Sequence, residues 1–446
     1  MCWKRGNERF MGYVAIFIGF ALMVALCMFN VNVMLSAFAG ALFVTVAAGL
    51  PFVDSVINVF FTRFGAITGT MFPMFLFGAI LAKLYTTSGA ATVIADAVCE
   101  ALFKKAKTEK QKYRLGFLSV ILASAILCYG GINAAVALIA IYPIGINIFR
   151  HAGIPKKFIM GAICGGAFTF ALSGPGSPQP TNVVAMEIGT GPMVGMVGGF
   201  VGALVEIAVM LLILTKMCVV ATSRGETFEA GPKDTFFHHD AAKPNLVVSL
   251  IPLIVLLIVF NVLEVQIALS ILIAVVVAAV VFAPKLTAAK QLHAINEGCL
   301  SALIPAGTIA GVNGFAAVVQ QVPEYQIMID GLLESQMPPV ILLILCVSLI
   351  CMMTGGSTTG TQIALPIITP VLTQFGLTLP FIHRVGTFAA TMLDSLPNSG
   401  AVIMAVGLAD LKMREGYPAV FASTVLATCA GTFAVALFMT LFPMLP

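Results

Sequence analysis

Two stretches of the chain set helix breakers and small polar side chains inside otherwise apolar runs, and they do so twice at nearly the same spacing. The first is Tyr129-Gly130-Gly131-Ile132-Asn133, followed by Phe158-Ile159 and then Ser173-Gly174-Pro175-Gly176-Ser177-Pro178-Gln179-Pro180-Thr181-Asn182. The second is Thr354-Gly355-Gly356-Ser357-Thr358-Thr359-Gly360-Thr361, followed by Phe381-Ile382 and then Asp394-Ser395-Leu396-Pro397-Asn398-Ser399-Gly400. The second glycine of each pair precedes its Phe by 27 and 25 residues, and the polar break follows that Phe by 15 and 13. Broken helices at corresponding positions of two halves point to a transporter's binding site.

The chemistry on offer is replacement of a solute's water. Backbone N–H groups at a helix start attract anions, and Gly355, Gly356 and Gly360 allow close approach to the backbone. Three prolines between 175 and 180 cannot share one continuous helix, since each deletes a hydrogen bond and clashes with the preceding turn. The candidate substrate-binding residues are therefore Gly130, Gly131, Asn133, Ser177, Thr181 and Asn182 in the first set. In the second they are Gly355, Gly356, Ser357, Thr358, Thr359, Asn398 and Ser399. Helix packing through small residues is the competing reading for the glycines, and a simple proline kink is the competing reading for the breaks.

An ionised carboxylate at the centre of a membrane helix costs about 2.5–3.5 kcal/mol on insertion scales, so a mid-span acid needs a reason. Asp394 and Glu206 are the candidates for proton or ion coupling, with a packing hydrogen bond as the alternative for Glu206. His383 and Arg384 are either contacts for an anion or interface anchors, with Arg384 expected near the interface. Lys83 and Lys216 lie near span ends, where a long side chain can snorkel.

These residues must be held in a bilayer. Of the 446 residues 9% are charged and 60% hydrophobic, against about a quarter charged in soluble domains. The net charge of +4 comes mostly from short loops, which disfavours a nucleic-acid partner. Ten cysteines without a C-x-x-C pair read as small hydrophobes, and no cofactor or metal is implied. Residues 1–10 lead into the apolar run 12–29 without a cleavage site, which reads as a retained first span.

Strand periodicity is absent, so the expected fold is an all-α polytopic membrane protein. Two halves are expected, 1–220 and 246–446, joined by a cytoplasmic linker over 221–245. The first holds a hairpin at 115–149 and a broken helix at 158–188; the second holds a hairpin at 338–374 and a broken helix at 381–409. Lys and Arg crowd residues 104–114 and 150–157, whereas the equivalent loops 319–337 and 375–380 have neither. Cytoplasmic loops are rich in Lys and Arg, so the two sets belong on opposite sides and the repeats are inverted, with each hairpin either re-entrant or fully crossing. The same rule puts Lys216 to Arg224, Lys285, Lys290, Lys412 and Arg414 inside. Lys4, Arg5 and Arg9 do not fit that count: either a segment counted as a crossing is interfacial, with 53–66 and 88–103 as candidates, or these first basic residues are overruled.

The run His383-Arg384-Val385 followed by Leu393-Asp394-Ser395-Leu396-Pro397-Asn398-Ser399-Gly400-Ala401-Val402 resembles the gluconate permease family of proton symporters, in its hydroxybutyrate-permease-like branch. Gly130-Gly131 with Pro143, and Gly355 to Pro366, are similar too, and the likeness extends from about Gly65 onward. At Asn398-Ser399 the chain departs from the family pattern, in which a His precedes an Asn after the Leu-Pro pair. The resemblance implies an inner-membrane carrier of organic anions, with two inverted halves, re-entrant hairpins and a transport domain moving against a homodimeric scaffold.

The expected function is therefore secondary transport of a small carboxylate, such as gluconate or a short hydroxy acid, with H+ as coupling ion. Sodium-coupled uptake of a carboxylate or an amino acid such as serine is the alternative. A primary pump lacks a G-x-x-x-x-G-K-[ST] loop; an intramembrane protease would need H-E-x-x-H, paired aspartates or a Ser–His arrangement, but no H-E-x-x-H occurs and Gly407-Leu408-Ala409-Asp410 sits at a span end. A channel would also use polar breaks.

Overall fold

The computed structural model of the chain describes residues 2–28, 31–103, 107–132, 134–231, 244–327, 337–397 and 399–443. Asn133, Asn398 and residues 232–243 of the expected linker lie outside them. The described residues are helical and contain no strand. In lipid a helix satisfies its own backbone, which is why nearly every apolar run takes this form.

The chain begins with α1 (Cys2–Met28), α2 (Val33–Ala47), α3 (Asp54–Ser88) and α4 (Ala90–Phe103). The Asn32 side chain accepts from the Met34 N–H to start α2, and left-handed Gly89 ends α3. Residues 53–66 are not a separate segment: Asp54–Phe61 form π-helical turns continuous with the span expected at 67–86. The result is a helix of 35 residues, roughly 50 Å long, well beyond a hydrocarbon core of about 30 Å.

Next comes the hairpin α5 (Glu109–Tyr129) and α6 (Ala134–Ala152). It is followed by the interrupted pair α7 (159–173) and α8 (Pro180–Ala185), then α9 (Met196–Ser223). After the linker, α10 (Leu246–Asn261) and α11 (Ile267–Phe282) lead to α12 (Ala288–Val319). A second hairpin, α13 (Pro339–Thr354) and α14 (Ser357–Gln374), precedes a second interrupted pair, α15 (Leu379–Met392) and α16 (Gly400–Leu408). The last helix is α17 (Met413–Leu441). The order long helix, hairpin, interrupted helix, long helix thus occurs twice. Among the described residues α3, α5, α9 and α17 are long and apolar enough to cross a membrane, and shorter apolar helices include α10, α11 and part of α13.

The two long helices α3 and α12 lie against each other, with Lys83 of α3 paired to Glu297 of α12 at 3.0 Å. Lys83 is thus tied across a helix seam, and His293 adds a 3.2 Å contact to the same carboxylate. A large apolar core joins α3 through α7 with α10, α11 and the start of α17. A second core is built by α13, α14, α15 and the end of α17. The interrupted helices sit where the cores meet.

Close backbone approach holds α7 on α17. A Cβ placed on Gly161 would lie 2.6 Å from the Ala419 carbonyl oxygen, which is backbone and cannot swing away. Gly161→Val should therefore destabilise the protein by about 1–3 kcal/mol in detergent. Gly65→Ala, where nothing lies within 4 Å, should be neutral or slightly stabilising. Thermal unfolding of the two variants checks the contrast.

Candidate functional site

α7 stops at Ser173 because the chain that follows cannot continue it: Gly174 turns extended, and Pro175 and Pro178 remove donors. The chain re-enters a helix at Pro180, a first helical position where no N–H is needed. The interruption is fully buried, with Ser177, Thr181 and Asn182 all at 0% exposure. Its freed backbone groups find partners at once. The Ser177 hydroxyl donates to the Ala171 carbonyl, and Asn182 Nδ2 donates to the Ser177 carbonyl at 2.9 Å.

The same interruption reaches the first hairpin. Gln179 Nε2 donates to the carbonyls of Cys128 (2.5 Å) and Ile132 (3.0 Å), on either side of the Gly130-Gly131 turn. The Tyr129 hydroxyl donates to Pro175 O at 3.4 Å. Gly130 and Gly131 themselves face α10: a Cβ on either would run into Leu253 or Leu256. Side chains therefore already fill the space beside this glycine pair.

Arg384 and His383 lie deep in the protein, both at 0% exposure, rather than near an interface. The three nitrogens of Arg384 make five hydrogen bonds to four acceptors of the first interruption and the loop beyond it. Nε donates to Val194 O (3.0 Å), Nη1 to Ser173 O (3.0 Å) and Asn182 Oδ1 (3.3 Å), and Nη2 to Val194 O (2.7 Å) and Pro192 O (3.4 Å). Asn182 Nδ2 is engaged with carbonyls, so its Oδ1 faces α15 and accepts from His383 Nε2 at 3.0 Å. Nδ1 is then left to accept from the Thr190 hydroxyl at 2.5 Å. This pair on α15 is a clamp on the first interruption, and no direct donor of Arg384 is left over for a solute.

At the second hairpin α13 ends on Gly355, whose φ of +66° is the left-handed region that favours glycine. α14 starts at Ser357 with Gly356 as its N-cap, a residue with no side chain to cap with. Asp394, from another element, stands beside this helix start, with its carboxylate next to Ser357. The Ser395 hydroxyl donates to Asp394 Oδ1 at 2.7 Å. A carboxylate at a helix N-terminus meets both unpaired donors and the positive end of the dipole.

Three interruptions converge here. Thr181 of α8 donates to Ser357 Oγ at 3.1 Å and lies 3.2 Å from Thr358 Oγ1, while the Ser399 hydroxyl donates to Gly355 O at 3.1 Å. Thr359 is buried beside them. Unlike the first pair, Gly356 has open space at its side, for a Cβ there would meet nothing within 4 Å. Gly360, expected to admit a ligand, instead packs against the Cys351 backbone and lets the hairpin limbs approach.

Glu206 of α9 is buried, seated in the notch left by Gly431 of α17. Its Oε2 accepts from the Ser173 hydroxyl at 3.4 Å, while Oε1 has no partner among the described residues. Ser173 thus carries Glu206 on its hydroxyl and Arg384 on its carbonyl. Gln179, read from the sequence as one of the polar side chains of the opened helix, is spent on the first hairpin's carbonyls. Sequence reasoning missed Thr190 and Tyr417, whose hydroxyl donates to Ser395 O at 3.4 Å.

The family model for GntP family permeases matches residues 11–442. The chain belongs to this family. It is 25% identical over 432 residues to the uncharacterized transporter YxjC of Bacillus subtilis, covering 85% of this chain and 88% of that one. It is 22% identical over 347 residues to an uncharacterized transporter of Haemophilus influenzae, covering 76% and 78%. Its fold is similar to the crystal structure of the Alcanivorax borkumensis YdaH transporter, described as having an unusual topology, with a TM-score of 0.52, 14% identity and coverage of 88% and 89%. The protein is a multi-pass membrane transporter and not an enzyme, and the resemblance carried by residues 383–402 holds.

If the clamp is as described, Arg384→Met strands carbonyls of Ser173 and Val194 in a dry interior and should cost about 3 kcal/mol or more, since hydrogen bonds to a charged group are worth about 1.5–3 kcal/mol each. Thr440→Val, at the far end of α17, should cost under about 1.5 kcal/mol. Unfolding in detergent gives both values.

Proposed function

We propose that this protein is a secondary active transporter of the inner membrane that takes up a small organic anion, a sugar acid such as gluconate or a short hydroxy acid, together with H+. The convergence of Thr181, Ser357, Thr358, Asp394, Ser399 and Gly355 beside the open face of Gly356 carries this reading. Hydroxyls and the N-terminus of α14 suit a carboxylate, and Asp394 already stands beside the same donors. The solute's carboxylate and the Asp394 carboxylate then compete for the Ser357 N–H. A proton on Asp394 weakens its hold and releases that donor, so proton and anion load together.

Gly130, Gly131 and Asn133 would belong to the first hairpin's share of the site, with Ser177 and Asn182 shaping the wall opposite. Glu206, with its unpartnered oxygen, is a second place for a proton. The twice-repeated element order supports two repeats, 1–220 and 246–446, around the 221–245 linker. Opposite orientation, re-entrant hairpins, elevator motion and a homodimer complete the proposal.

Purified protein in liposomes should accumulate labelled gluconate or hydroxybutyrate when the outside is made acidic. Accumulation that follows a sodium gradient and ignores pH would move the coupling to Na+, and equilibration without accumulation would make the protein a facilitator. Asp394→Asn, which mimics the protonated acid, should abolish accumulation while preserving exchange of bound solute. Thr358→Val should weaken apparent affinity by about 1–2 kcal/mol, roughly 5- to 30-fold. Unchanged affinity would leave Thr358 with its packing contact to Thr181 alone.

A further inference from the structure

A recess of about 520 Å³ lies where α9 ends, α17 begins and the chain enters α7. It gathers four cations, Lys157, Lys216, Arg224 and Arg414, against two carboxylates, Glu226 and Glu415. Lys157 is paired with Glu226. Lys216, Arg224 and Arg414 have no ion pair among the described residues, so the recess keeps an excess of unneutralised positive charge. Its floor is apolar, formed by Phe158, Met217 and Val220.

The position of the recess says what could fill both parts. The outer faces of α9 and α17 expose Leu204, Leu212, Leu426, Phe433 and Leu437, a surface suited to acyl chains. The basic cluster stands at the end of that surface, at headgroup level, on the side that the Lys and Arg distribution assigns to the cytoplasm. Basic pockets between membrane helices on that side accept anionic headgroups. A soluble anion would use the cations and leave the apolar floor unused.

We propose that this recess is a binding site for an anionic phospholipid, its phosphate among Lys216, Arg224 and Arg414 and an acyl chain along Val220 and Leu212. The site is separate from the converging interruptions and does not depend on which solute is carried. It touches the transport machinery mechanically, because it bridges α9, the entry to α7 and the first turn of α17, and the last two helices are joined at Gly161 and Ala419. Occupancy should therefore brace α7, the limb that ends in the first interruption.

Native mass spectrometry of the purified, delipidated protein titrated with phosphatidylglycerol or phosphatidylcholine tests this directly. Wild type should retain phosphatidylglycerol in preference, and the triple variant Lys216→Gln, Arg224→Gln, Arg414→Gln should lose about tenfold or more in that affinity. Lys285→Gln with Lys290→Gln, which removes two positive charges elsewhere on the same side, should leave it unchanged. Equal retention by the triple variant, or equal loss in the control pair, overturns the proposal. Displacement of the lipid by millimolar inorganic phosphate would assign the site to a soluble anion and overturn it as well. Should the triple variant not fold, Lys216→Gln and Arg414→Gln are scored singly, each expected to lose part of the preference, and no loss in either has the same negative meaning.

Discussion

Away from water, every backbone N–H and C=O that a helix gives up must be taken by another group. This protein gives up several, at two interruptions and two hairpin turns, and the takers come from other interrupted elements. Gln179 serves the turn after α5, Arg384 serves the end of α7, Asp394 stands at the start of α14, and Ser399 serves Gly355. The interruptions are thus mutually dependent. Moving one strands polar groups on another, which favours a few discrete arrangements over continuous deformation, the behaviour alternating access requires.

Local chemistry was legible because it rests on composition within a few residues. Pro175, Pro178 and Pro180 had to open a helix, and Gly355 with Gly356 had to turn one, so the hairpin expected at 338–374 appears as α13 and α14 within a residue of its bounds. Long-range partners were not legible, since a sequence does not say which chain segment lies opposite. Arg384 was expected near an interface because arginine usually seeks one, yet five hydrogen bonds to four acceptors in residues 173–194 make deep burial tolerable. Lys83 was read as snorkelling for the same reason, with Glu297 more than two hundred residues away. The span expected at 67–86 starts earlier, at Asp54, where Asp54 and Asn58 hydrogen-bond to each other along the helix.

The two glycine pairs look alike in sequence and differ in what surrounds them. Leu253 and Leu256 of α10 close the space beside Gly130 and Gly131, whereas the side of Gly356 stays open. The turns differ as well: the left-handed residue is the second glycine of the first pair, Gly131 at φ +80°, and the first of the second pair, Gly355 at φ +66°. The open member also has the richer set of hydroxyls, from Ser357, Thr358, Thr181 and Ser399. Any solute held between the halves would be asymmetrically bound, mostly by the second hairpin.

If the solute is the anion proposed, charge balance argues for carrying it with a cation. The centre of the protein holds Arg384, Asp394 and Glu206, all buried, and Arg384 has no donor left for direct contact with a solute. Its positive charge still acts through the low-dielectric interior on whatever binds near Asn182 and Thr181. Adding a carboxylate alone would put a second negative charge beside Asp394 in a site with little water to screen it. Adding the carboxylate and a proton together leaves the buried charge as it was. In the proposed mechanism Asp394, the acid beside Gly356, takes that proton and by taking it frees the start of α14 for the incoming carboxylate.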